Sequence, residues 1–151
     1  QKTALWIGFF DKSGSPALKI RVRGPFGEGA EFDAIIDTGF TGFISMPLLQ
    51  ALPLGLMLYG TTSVELADGS QATKITAKGM ADVSAEQEIG VILLEPSSNE
   101  VLIGMAFLRL FKRALFLTSG LVYLVDENRT PDQDEPPKVE PVEIEEPDTI
   151  P

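Results

Sequence analysis

The stretch Ala34-Ile35-Ile36-Asp37-Thr38-Gly39-Phe40-Thr41-Gly42-Phe43-Ile44 carries most of what the chain says about its architecture. An apolar run delivers a single carboxylate, Gly39 and Gly42 follow closely, and the chain returns at once to apolar residues. β-forming residues on both sides with Gly and Thr between them read as two strands joined by a tight turn. Asp37 is thus placed at the mouth of that turn, walled by Ile35, Ile36, Phe40 and Phe43. An ionised carboxylate among such neighbours is costly unless it is hydrogen-bonded or paired. The plainer reading is an Asp that caps its own backbone ahead of a glycine.

Outward from this turn, strand patterns dominate. Ala4–Phe10 is apolar and rich in β-formers, Asp11–Pro16 is a turn cluster, and Ala17–Arg23 alternates apolar with basic residues. That alternation is the period of a half-buried strand. With Glu31–Ile36 these runs predict two consecutive hairpins. Phe43–Met46 is a short strand, and Pro47 suits the first turn of a helix over Leu48–Leu52. Pro53–Tyr59 is a further apolar run, ended by Gly60. Thr62–Leu66 and Gln71–Val83 flank Ala67-Asp68-Gly69-Ser70, an Asp-Gly hairpin signal. Gly90–Leu94 and Val101–Ile103 read as buried strands. Met105–Phe111 suits a helix with Met105, Phe107, Leu108 and Phe111 on one face and Arg109 off it. Ala114–Leu117 and Leu121–Val125 form a last hairpin. The expected class is all-β with a short helix after Gly104.

The 151 residues suffice for one domain, and 44% of them are hydrophobic, enough for a packed core. The net charge of −10 belongs mainly to the C-terminal segment, which holds ten acidic and two basic residues from Asp126 onward and six of the eleven prolines. Acidic repulsion and missing backbone donors prevent a core there. The expectation is a folded domain over 1–125 and a disordered acidic tail over 126–151. The nearly neutral body has no basic face for nucleic acid, and no apolar run is long enough to span a bilayer. The N-terminal residues lack the shape of a secretory signal, which makes a cytoplasmic location the expectation.

The chain has neither cysteine nor histidine. This excludes disulfides, cysteine nucleophiles, Ser-His-Asp triads and the common zinc sites. Acidic residues show no metal-binding spacing, so neither metal nor cofactor is expected. Any catalysis must rest on carboxylates, Lys, Tyr, Ser or Thr.

Asp37-Thr38-Gly39 behind Ala34-Ile35-Ile36 resembles the catalytic turn of retropepsin-like aspartic peptidases. Val101-Leu102-Ile103-Gly104 followed by Met105–Phe111 resembles the apolar segment, glycine and helix that pack behind that turn. The hairpin at Ala67, Asp68 and Gly69 looks like the family's flap. The similarity covers about residues 4–125 and is closest to small bacterial members, which read Asp-Thr-Gly-Phe-x-Gly before a short strand ending in Pro.

The resemblance implies a retropepsin-like closed β-barrel working as a homodimer on peptide or protein substrates. A single Asp-Thr-Gly per chain requires a second copy to supply the other aspartate. Two carboxylates about 3 Å apart repel by on the order of 5 kcal/mol at an effective dielectric near 20, so they hold one proton between them. A water activated between the two Asp37 side chains would attack the peptide carbonyl. Thr38 would brace the pair across the dimer axis, and Gly39 would let the turn close and leave room for substrate. The hairpin tip would close over bound peptide. The residues that line the substrate pockets are unknown at this level. The competing reading is a dimerisation or peptide-binding module with little or no catalysis.

The chain departs from the retroviral pattern after Gly104. An Arg and an acid or amide stand there in those members, and here Met105 and Ala106 do. The terminal segments Ala4–Phe10 and Leu121–Val125 are therefore the candidate dimer contacts, as apolar edges open to pairing.

Overall fold

A computed structural model describes residues 5–128. In chain order the elements are β1 (Leu5–Ile7), β2 (Phe9–Phe10), β3 (Pro16–Arg23), β4 (Ala30–Ile36), β5 (Ile44–Pro47), α1 (Leu48–Ala51) and a 3-10 turn over Leu52–Leu54. There follow β6 (Met57–Glu65), β7 (Gln71–Val83), β8 (Glu86–Glu95), β9 (Leu102–Ile103), α2 (Met105–Leu110), β10 (Arg113–Leu117) and β11 (Val122–Asp126). The all-β class with a short helix after Gly104 is what the structure has. None of the helices among the described residues is long and apolar enough to cross a membrane.

The larger sheet runs β2-β3-β4-β9-β5-β8-β7-β6, and β3 pairs again with β7 through Arg21↔Asp82, Val22↔Ala81 and Arg23↔Met80. The hydrogen-bonded path from β3 through β4, β9, β5, β8 and β7 therefore returns to β3, leaving β2 and β6 as extensions. Alternation sends one face of each strand inward. Ile20 and Val22 of β3, Ala34 and Ile36 of β4, Ile44 and Met46 of β5, Ala77 and Ala81 of β7, Ile92 and Leu94 of β8 and Ile103 of β9 form the core with Phe107 of α2. Burial of this apolar surface is the main favourable term.

The expected hairpins β2–β3 and β3–β4 are present. Three expectations need correction. Ala4–Phe10 is not one strand: the chain switches sheets at Gly8, where a Cβ would stand 2.4 Å from the Ala17 carbonyl oxygen. The separate runs Pro53–Tyr59 and Thr62–Leu66 are instead a 3-10 turn and the single strand β6, which has a register shift between Leu58 and Gly60. The segment Leu121–Val125 is not an open edge: β11 is the middle strand of the sheet β1-β11-β10, with Trp6, Val122 and Leu124 buried against the main core.

A buried charged cluster fastens this smaller sheet to the β7–β8 hairpin. The Arg113 guanidinium lies 4.1 Å from the Trp6 ring centre, donates to the Phe111 carbonyl at 2.9 Å and pairs with Glu86 at 2.5 Å. Trp6 Nε1 donates to the same Glu86 oxygen at 3.2 Å, and the Trp6 and Phe111 rings meet edge to face at 5.1 Å. The ladder β10–β11 reaches Asp126, and the Glu127 amide donates to the Lys112 carbonyl, so ordered pairing continues just past the change in composition. The rest of the acidic tail lies outside the described residues.

Candidate active site

Strand β4 delivers Asp37 beside β9. The Ile35 amide donates to the Val101 carbonyl and the Asp37 amide to the Ile103 carbonyl, each within 2.9 Å. The Phe40 amide closes a turn on the Asp37 carbonyl at 3.1 Å. Within it the Gly39 amide donates to Asp37 Oδ1 at 2.9 Å. The backbone-capping role open to an Asp before Gly is thus realised, and it fixes the carboxylate's orientation.

The following loop is held from behind. The Met105 amide donates to the Phe40 carbonyl at 2.8 Å, the Ala106 amide to the carbonyls of Thr41 and Gly42 at 3.2 and 3.1 Å, and the Gly104 amide to the Phe43 carbonyl at 3.1 Å. These are the otherwise unpartnered amides at the start of α2. The helix is in turn anchored by Phe107, which is fully buried between Phe43 and Phe111 at ring separations of 5.4 and 4.6 Å. Met105 and Ala106, which replace the retroviral pattern, act here through their backbones on the loop of their own chain.

Gly104 has an extended backbone that any residue can adopt, so its requirement is space. A Cβ there would lie 2.4 Å from the Phe40 carbonyl oxygen and 2.5 Å from that of Gly42. Both are backbone atoms fixed by α2 and cannot swing aside. Gly104→Ala is expected to lower stability by about 1–3 kcal/mol, read as a lower urea midpoint. An unchanged midpoint would show that the loop can retreat without cost. Gly39 likewise does not use a left-handed backbone, contrary to the simplest reason for a glycine in a turn: it is absent from the positive-φ residues. A Cβ at Gly39 would instead crowd Asp37 Oδ1 at 3.2 Å.

Asp37 opens onto a cleft lined also by Gly39, Phe40, Thr41, Ser45, Leu93, Glu95 and Leu102, with Thr62 and Val64 of β6 on one wall. The wall follows from register. Ser45 pairs with both Leu102 and Leu93, Leu93 with Thr76, and the Thr76 hydroxyl donates to the Gly60 carbonyl at 3.0 Å. These pairings carry the cleft surface from the floor to the outer hairpin. Thr38 is exposed at the turn, and its hydroxyl has no hydrogen-bond partner among the described residues. Asp33, also on β4, is exposed and lies 3.9 Å from Lys19. No cluster of three acidic side chains suited to a metal ion occurs among the described residues.

The β6–β7 hairpin ends in a tight turn. The Leu66 amide bonds to the Ser70 carbonyl and the Gly69 amide to the Leu66 carbonyl, and Gly69 takes φ 83°, a conformation that favours glycine. Ala67, Asp68 and Gly69 are all exposed. Asp68 Oδ1 accepts from the Ser70 hydroxyl and from the Ser70 amide at 2.9 Å, and these bonds, the hydroxyl first, hold its carboxyl below the usual carboxylate range. A depressed folded pKa means that the support is complete above the unfolded value of about 3.9 and is lost as pH falls through the lower folded value. The Ser70 amide resonance should therefore shift with an inflection below that value and lose it in Asp68→Ala. An inflection at or above it would show the turn bonds to be absent in solution.

No protein-family model matches the sequence, and no curated protein does. Solved structures do match. A retropepsin-like aspartic protease from Rickettsia conorii aligns with TM-score 0.61 at 17% identity, over 80% of this chain and 89% of that one. The EIAV protease, complexed with the inhibitor HBY-793, aligns with TM-score 0.52 at 11% identity, over 66% of this chain and 90% of that one. At such identities the likeness is one of architecture, and the architecture shared is the retropepsin-like aspartic protease fold.

Proposed function

We propose that this chain is an aspartic endopeptidase whose active centre forms when two copies meet, each contributing one Asp37. The observation that supports this most is the support of the Asp37 turn. Four carbonyls of the loop that follows it are pinned by the amides of Gly104, Met105 and Ala106, and the carboxylate opens to a cleft walled by the outer hairpin. Holding a reacting group rigidly before the reaction is what lowers its barrier.

In the proposed centre the two carboxylates share one proton, because like charges at that spacing do not both ionise readily. The ionised member takes a proton from a water as its oxygen attacks the peptide carbonyl. The protonated member donates to the carbonyl oxygen, and a proton then passes to the leaving amine. Thr38, exposed beside Asp37, bonds in this scheme to the partner copy. Gly39 keeps the space next to the carboxylate open. Ala67, Asp68 and Gly69 form the hairpin tip that closes over an extended peptide. No metal or cofactor enters this scheme.

The test is an unbiased peptide mixture incubated with the full chain and sequenced for new termini. Cleavage at discrete internal bonds is expected. Peptides bound but left intact would favour a peptide-binding module with the same fold.

A further inference from the structure

We infer that the Glu95 of each copy selects a basic side chain in its half of the cleft, an inference that rests on the peptide-cleft reading above. Apolar side chains of the cleft lining are Phe40, Val64, Leu93 and Leu102. Glu95 interrupts them with a carboxylate at the end of β8, held by Lys74 Nζ at 2.6 Å from Oε2. Register explains the pair: Ile75 lies opposite Leu94, which brings Lys74 of β7 next to Glu95, and Lys74 lies opposite Thr62 on the far strand. The two side chains are only 21% and 18% exposed, so water screens them partially.

The arrangement is asymmetric. Glu95 and Thr62 line the cleft together with Asp37, whereas Lys74 does not. Lys74 bonds one oxygen and so fixes the rotamer, while Oε1 accepts no hydrogen bond among the described residues. A carboxylate offers about four acceptor positions, and Glu95 lines the cleft with part of that capacity open. An incoming Arg or Lys would supply a charge-assisted donor there. An incoming Asp or Glu would meet a like charge among apolar neighbours, offset only in part by Lys74.

A pair of this kind could also serve only to tie the outer hairpin to β8, and a charge swap separates the two roles. Lys74→Glu with Glu95→Lys keeps an ion pair between the same strands but turns a cation toward the cleft. The full chain carrying Asp37→Asn, so that bound peptides stay intact, is exposed to positional-scanning peptide mixtures, and retained peptides are sequenced. We expect about a tenfold enrichment of Arg and Lys over Asp and Glu at the two positions related by the two-fold axis of the pair, loss of that enrichment in Glu95→Gln, and its reversal in the swap. Retention with no charge preference, or a preference that survives the swap, would overturn the role of Glu95 while leaving the peptide cleft standing. Retention of no peptide at all would overturn the cleft reading and this inference with it.

Discussion

Asn in place of Asp37 is expected to lower the rate of peptide hydrolysis by on the order of 10³-fold or more, with little change in stability. The two halves of this expectation have separate causes. Asn keeps a carbonyl oxygen where Asp37 Oδ1 accepts the Gly39 amide, so the turn and the loop pinned by α2 should persist. The amide, however, can neither accept a proton from water nor hold the proton shared with a second carboxylate. Steady-state cleavage and urea denaturation on the same preparations separate chemistry from folding. Cleavage that survives in Asp37→Asn would move the chemistry to another residue; a large loss of stability would make the kinetic result uninterpretable as chemistry and would show that the turn needs the charge.

Glu86→Ala is expected to cost about 2–3 kcal/mol of stability, the upper part of the range for taking one hydrogen-bonded partner from a buried charged group. Arg113 is buried at 4% exposure, and its guanidinium sits over the Trp6 ring with Glu86 as its counter-charge. Removing the carboxylate takes a counter-charge from a guanidinium buried away from water and also takes the acceptor from Trp6 Nε1. Domains of this size have only about 5–15 kcal/mol in total, so the loss should be visible as a large fall in the urea midpoint. Glu86→Gln, which keeps an acceptor for Trp6 but not the charge, should fall between. A loss under about 1 kcal/mol for Ala would mean that the pair behaves as an exposed one. The same cluster ties the smaller sheet to the β7–β8 hairpin, since Glu86 lies on the hairpin and Trp6 and Arg113 on the sheet.

The features legible in the sequence are those that rest on local pattern. The Asp37 turn stood out because apolar strands flank two close glycines. β7 has the bounds read for it, Gln71–Val83, because the Asp-Gly turn fixes its start and alternation carries it on. α2 was legible from Met105, Phe107, Leu108 and Phe111, of which the last three are buried while Arg109 is exposed. β6 was not, because it stands out from the body and is exposed along nearly its whole length, so no inward face imposes alternation on Met57–Glu65. Pairing of β1 with β11 joins the two ends of the domain, and no local signal encodes a contact at that separation. The Trp6–Glu86–Arg113 cluster was hidden for the same reason. The cleft wall of Ser45, Thr62, Leu93 and Glu95 depends on strand register, which a single residue's slip would invert; a polar residue between the core residues of an otherwise apolar strand, as Ser45 is between Ile44 and Met46 in β5, was the one available hint.

The central claim is that one Asp37 comes from each of two copies, and subunit mixing tests it most directly. Wild-type chain at a fixed concentration is allowed to exchange with an equal amount of Asp37→Asn chain, and the cleavage rate is measured before and after. If every active centre needs two intact aspartates, random re-pairing should reduce the rate to about half, and further variant should lower it further. A rate that stays constant however much variant is added would show that each chain acts with its own aspartate alone and would contradict the account.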